Sequence, residues 1–220
     1  MAVTCLLLTL LALGSATMHI RAEYLGPQYH IYLFKPLTMV FILLIAMAKA
    51  RKSRVFYAYA IVGGLLCSMA GDIFLMLPSD QFIPGLVSFL AAHLCYIGAF
   101  TRGRRLRFSV WPILPFVVYG IFIFIFLFPG LKAMKLPVLA YIVVILVMGW
   151  QAWERWDVTG QRLALLAFFG AALFIISDTA LAINRFRQPF EMAKALILST
   201  YFAAQWMIAF SVNETSLLER

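Results

Sequence analysis

The amino-acid sequence reads as an all-α integral membrane bundle of eight transmembrane helices, a single polytopic domain over residues 1–220. Three observations point there. Hydrophobic residues make up 64% of the chain and charged residues 12%, whereas a soluble domain carries about 25% charged residues. The apolar residues gather in eight windows, most of them close to the roughly 20 residues that a helix needs to cross the hydrocarbon core. The Lys and Arg residues behind the net charge of +9 sit in short clusters between those windows. Such clusters orient a membrane protein in its bilayer and argue against nucleic acid as a partner.

The first window, 2–18, holds an apolar stretch at Leu6 to Leu13. It could be a signal-peptide core, but it lacks a basic segment ahead of it and is read as a retained span. Gly26 and Pro27 separate it from the second window, 31–48, which runs into Lys49, Arg51, Lys52 and Arg54. The third, 57–77, stops at Pro78 and Ser79, and the fourth, 82–100, runs into Arg102, Gly103, Arg104, Arg105 and Arg107. Pro129 and Gly130 close the fifth, 109–128; Gly160 separates the sixth, 136–153, from the seventh, 162–183; the eighth is 191–211. Gly and Pro thus fall where turns are expected. The two dense basic clusters follow spans two and four, which places those loops and both termini in the cytoplasm. The opposite loops carry the more scattered Arg21, Lys132, Lys135, Arg185 and Arg187. Short termini without targeting signals favour a bacterial inner membrane.

Several features carry little chemistry. Cys5, Cys67 and Cys95 lie inside apolar windows without a CxxC pair, so no disulfide framework or zinc knuckle is expected. Phe122, Phe124, Phe126 and Phe128 recur at a spacing of two, which is not one helical face, and are expected to coat the lipid side. His19 and His30 fall in the first outer loop and are expected to be solvated. A faint internal echo relates Gly71-Asp72-Ile73-Phe74-Leu75 to Ser177-Asp178-Thr179-Ala180-Leu181, four spans apart, the arrangement of a parallel duplication.

The informative residues are those that a membrane should exclude, because a charge at helix centre costs about 2.5 to 3.5 kcal/mol. Asp72 in span three and Asp178 in span seven both sit short of the outer helix end, at one depth, where they can share a cavity. Lys35, His93 with Tyr96, and Lys194, Tyr201 and Gln205 reach the same zone from spans two, four and eight. Positions 194, 201 and 205 form one helical stripe, and Ser68 lies one turn from Asp72. Ser68, Tyr96, Tyr201 and Gln205 are equally explained as ordinary interhelical hydrogen bonds. Lys194 is more simply read as snorkelling to the interface, and Lys35 could form a structural pair with an aspartate. For the aspartates a functional reading outweighs a structural one. Nothing matches a P-loop, a GxSxG elbow, an HExxH helix or a dinucleotide fingerprint, and the sequence calls for no cofactor and no metal.

Phe34-Lys35-Pro36-Leu37-Thr38, Ser68 through Leu77, Gly85 through Phe89 with Ala92-His93-Leu94-Cys95-Tyr96, Ser177-Asp178, and Ser199-Thr200-Tyr201 with Gln205 resemble the motifs of the lysoplasmalogenase-like family of polytopic membrane proteins. The resemblance runs over almost the whole chain. It implies hydrolysis of the vinyl ether bond of a lysoplasmalogen, a lysophospholipid substrate met in the lipid bilayer, to a fatty aldehyde and a glycerophospho-base. That chemistry needs a proton donor to carbon and a nearby carboxylate. Two carboxyl groups crowded in a low-dielectric pocket do not readily both ionise, which leaves one donor and one anion, as in glycoside hydrolysis with its oxocarbenium-like transition state. Asp72 and Asp178 are the expected catalytic pair, with their individual roles open. Lys35 is expected to meet the lipid phosphate, and Ser68, His93, Tyr96, Ser177, Tyr201 and Gln205 to support substrate and water. Two rival readings are a proton-coupled lipid or small-molecule transporter, whose carboxylates would carry protons, and a metal-dependent lipid amidase, which wants about three protein ligands.

Overall fold

The computed structural model describes residues 2–53, 56–102 and 110–212. Among these the regular structure is helical: α1 (Ala2–Leu25), α2 (Gln28–Ser53), α3 (Phe56–Met76), α4 (Phe82–Thr101), α5 (Val110–Leu127), α6 (Lys135–Thr159), α7 (Arg162–Phe186) and α8 (Ala193–Phe210). Two short 3-10 turns, Phe128–Gly130 and Lys132–Met134, join α5 to α6. All eight helices are long and apolar enough to cross a membrane. Gly160 ends α6 in the left-handed region at φ 62°, its N–H donating to the Trp156 carbonyl at 2.8 Å. This is the conformation that glycine adopts without steric cost.

Short connections make sequential helices run antiparallel. α2, α3, α4, α6, α7 and α8 pack in succession and close into a ring, because α8 also packs on α2. α1 lies in the groove between α2 and α8, and α5 leans on α6 and α7 from outside. Close approach within the ring depends on small residues. A Cβ at Gly64 would sit 2.2 Å from the Tyr96 ring, and one at Gly71 would sit 2.7 Å from the Phe89 ring, so α4 aromatics press directly on the α3 backbone. Ala58, Ala92, Ala99, Ala152, Ala167, Ala171, Ala204 and Ala209 are fully or almost fully buried in the same core.

The outer surface is apolar instead of charged. Leu10, Val87, Leu94, Phe122, Ile125 and Val143 are each more than half exposed, which in water would be a large sticky surface and in lipid is ordinary solvation. The expectation for the span-five phenylalanines holds in the main: Phe122, Phe126 and Phe128 are exposed and Phe124 is half-buried. This is a multi-pass integral membrane protein.

The C-terminal ends of α2, α4 and α6 share one end of the bundle with the start of α1 and the end of α8. There Lys49 lies over the Phe210 ring at 4.0 Å and Arg155 over Tyr57 at 4.3 Å. Arg54, Arg104, Arg105 and Arg107 of the expected cytoplasmic clusters lie outside the described residues. The opposite end carries the connections after α1, α3, α5 and α7, and it holds the polar site.

Two boundary expectations are corrected. α1 continues seven residues past the expected end to Leu25, so His19 is not in a solvated loop. It is completely buried in α1, edge-on to the Phe202 ring at 5.9 Å. His30 likewise belongs to a helix, in the first turn of α2, and is half-buried. The Gly26-Pro27 break, not the first polar residues, stops the helix, because interface-level polar side chains are compatible with helix and proline after glycine is not.

Candidate active site

Each of the six ring helices contributes a polar side chain to the bundle just below the site end: Lys35 from α2, Asp72 from α3, His93 from α4, Tyr141 from α6, Asp178 from α7 and Tyr201 from α8. They form two clusters. In the first, Asp72 is 2% exposed; its Oδ1 lies 3.2 Å from the Lys35 ammonium and its Oδ2 accepts from the Tyr201 hydroxyl at 2.5 Å. In the second, Asp178 accepts a hydrogen bond from the Tyr141 hydroxyl. His93 Nε2 lies 2.9 Å from that hydroxyl and 3.6 Å from Asp178 Oδ2. The rings of Phe89 and Phe174 stand edge-on between the clusters: both contact Tyr201, and Phe174 contacts His93.

Local sequence explains these positions. Pro36 removes one backbone donor from α2, and beside it Ser15 and Thr38 both donate to the Phe34 carbonyl, at 3.1 and 2.7 Å. This holds the Lys35 turn against α1. Ser177 donates to the Ile197 carbonyl at 3.0 Å, tying the Asp178 turn of α7 to α8. Asp72 lies four residues before the end of α3 and Asp178 eight before the end of α7, because α7 runs on to Phe186.

Both carboxylates line one chamber of about 220 Å³, together with Glu23, Lys35, Ser177, Asn184, Lys194 and Tyr201. A second, apolar cavity of about 60 Å³ lies among α4, α5, α6 and α7, walled by Leu86, Ile123, Val138, Ile142 and Leu146. The two cavities share Leu75, Phe89, Asp178 and Leu181. Asp178 therefore stands where a polar compartment meets an apolar one.

Three of the sequence candidates separate from this chamber. Ser68, Tyr96 and Gln205 are completely buried one turn deeper, where the Tyr96 hydroxyl donates to Gln205 Oε1 at 2.8 Å. They form a layer beneath the chamber and do not line it. Lys35 is held by Asp72, with its side chain 11% exposed. Lys194, in place of snorkelling alone, pairs with Glu23 at 2.8 Å and is 58% exposed. Sequence reasoning missed Tyr141, Glu23 and Asn184. Tyr141 was detectable as the hydroxyl-bearing side chain in the otherwise apolar 138–148 stretch. Glu23 was detectable from its i, i+4 spacing to His19, which continues α1.

Among the described residues no three His, Cys, Asp or Glu side chains converge as metal ligands would. The hairpins that carry the two aspartates, α3 with α4 and α7 with α8, are the two most extensively packed.

Comparison with known proteins adds the ancestry of this arrangement. The YhhN family model matches residues 30–212. The membrane protein YhhN of Escherichia coli O6:H1 is 31% identical over 199 residues, covering 90% of this chain and 94% of that protein. Human lysoplasmalogenase TMEM86B is 34% identical over 165 residues, 70% of this chain and 64% of that protein. Bovine lysoplasmalogenase TMEM86A is 37% identical over 158 residues, 69% of this chain and 64% of that protein. No solved structure matches. With a family match over most of its length and a relative that it covers almost end to end, the chain belongs to the YhhN family.

Proposed function

We propose that the protein is a membrane hydrolase that cleaves the vinyl ether bond of lysoplasmalogens, releasing a fatty aldehyde and a glycerophospho-base. The observation that carries this reading is the position of Asp178 at the junction of the polar chamber and the apolar cavity, with Asp72 in the same chamber. A lysoplasmalogen has the same division. Its glycerophospho headgroup belongs in the chamber, its alkenyl chain enters the apolar cavity, and the vinyl ether linking them falls beside Asp178. The animal relatives carrying the name lysoplasmalogenase support the reaction type.

The surroundings of the carboxylates divide the roles. Asp72, within 3.2 Å of a lysine ammonium, is the anion. Asp178, whose basic neighbour is His93 and whose hydrogen-bond partner is Tyr141, delivers the proton. The Asp178 proton adds to the alkenyl carbon remote from oxygen and the π electrons form the new C–H bond, leaving an oxocarbenium ion. Asp72 stabilises that cation electrostatically. Water adds to the cationic carbon and its surplus proton returns to Asp178. The resulting hemiacetal breaks its bond to the glycerol oxygen, which takes up the hydroxyl proton, and the aldehyde leaves. The net change is lipid plus water to aldehyde plus glycerophospho-base.

The test is mass balance. Detergent-purified protein given lysoplasmenylethanolamine should release aldehyde and glycerophosphoethanolamine in equal amounts. Intact lipid recovered quantitatively, with relocation between leaflets after reconstitution, would overturn hydrolysis in favour of transport.

A further inference from the structure

The chamber mouth holds an ion pair that the chemistry above does not use. Glu23 Oε2, from the last turn of α1, lies 2.8 Å from the Lys194 ammonium, in the first turn of α8. The backbone around it is fixed, since the Tyr24 hydroxyl accepts from the Ala195 N–H at 3.0 Å and donates to the Glu191 carbonyl at 3.1 Å. One turn below, His19 Nε2 backs the Glu23 carboxylate at 3.7 Å. Both members of the pair line the chamber that contains Asp72 and Asp178. The other chamber cation, Lys35, is bound to Asp72 and largely covered, so Lys194 is the cation within reach of an entering ligand. Glu23 belongs to α1, which lies ahead of the family match at residues 30–212.

We propose that Glu23 and Lys194 form the headgroup clamp of the substrate site and select a phosphoethanolamine zwitterion. The inference rests on the lipid-hydrolase reading and deepens it. A fixed cation beside a fixed anion is complementary to a phosphate joined to an ammonium by two carbons: Lys194 takes the phosphate oxygens and Glu23 the ammonium. The ion pair opens and each member exchanges its partner for one of equal charge, so neither is left unpaired. A carboxylate recognises an ammonium through N–H donors, and a trimethylammonium has none, which favours ethanolamine over choline.

The experiment measures equilibrium binding of saturated 1-O-alkyl lysolipids to the purified full-length protein. These lack the vinyl group, so binding is read whether or not the protein proves to be a vinyl ether hydrolase. For the wild type, affinity should fall stepwise as the headgroup amine is methylated once, twice and three times. Glu23→Gln should weaken the phosphoethanolamine lipid about tenfold, the value of one strong polar contact, and should not weaken 1-O-alkylglycerol 3-phosphate, which takes Lys194 and offers Glu23 no ammonium. That retained binding also shows that the variant is folded. Lys194→Gln should weaken both. A flat methylation series, or a Glu23→Gln effect equal for ligands with and without the amine, would overturn the clamp and leave the pair as a tie between α1 and α8.

Discussion

Asp72 and Asp178 face one chamber from opposite positions in the ring, yet their surroundings differ in kind. The Asp72 side is ionic: a lysine at 3.2 Å and a tyrosine at 2.5 Å hold both oxygens. The Asp178 side is aromatic and borders an apolar cavity, with Tyr141 and His93 as polar neighbours. Two acids that face one chamber need not share one chemistry. In the proposed mechanism Asp72, matched to a fixed cation, serves as the electrostatic anchor, and Asp178, set among tyrosine, histidine and hydrocarbon, passes the proton.

The strongest way to break this division is to exchange the carboxyls one at a time. Asp178→Asn should lower turnover by about 10³-fold, inside the range for losing a positioned general acid. Asp72→Asn should cost less in turnover, about 10²-fold, and more in stability because it strands Lys35. The stranded lysine can be separated from the chemistry. Lys35→Met alone should destabilise the fold by about 3 to 5 kcal/mol, the cost of breaking a buried pair from one side. Lys35→Met with Asp72→Asn should recover most of the melting temperature without restoring activity. If the single and double variants melt alike, the Asp72 side is not the ionic anchor described.

Smaller effects sharpen the contrast. Tyr141→Phe should reduce turnover about tenfold by unfixing Asp178, with Tyr201→Phe closer to neutral because Lys35 still holds Asp72. Equal losses in the two tyrosine variants would erase the distinction between the sides. The smallest effect belongs to the layer beneath. Ser68→Ala should change stability by less than about 1 kcal/mol, the scale of interhelical hydrogen bonds in membranes, and leave kcat within experimental error. A large loss there would extend the site downward.

The same contrast explains what could be read from sequence. Eight spans were legible because lipid demands long apolar runs, and the ends of most fell at Gly and Pro. Asp72 and Asp178 were legible because buried charge is costly and therefore conspicuous. Their partners were legible only in part. Lys35, His93 and Tyr201 announced themselves as polar atoms at the right depth. Tyr141 carried a fainter version of the same signal, a hydroxyl in an apolar stretch with no polar residue one turn away to mark it. Glu23 was hidden by ending α1 at its first polar residues. The pairing of Lys35 with Asp72 and of His93 with Asp178 depends on which helices are neighbours in the ring, and no periodicity within one helix encodes that.

The most direct test of the account compares initial rates of aldehyde release from lysoplasmenylethanolamine by wild-type protein and by Asp178→Asn, each shown to be folded by its melting temperature, in H2O and in D2O. The wild type should release aldehyde, more slowly in D2O because a solvent-derived proton moves to carbon in the limiting step, and Asp178→Asn should lose nearly all release. Release by Asp178→Asn at the wild-type rate, or none from folded wild-type protein, would contradict the proposed mechanism.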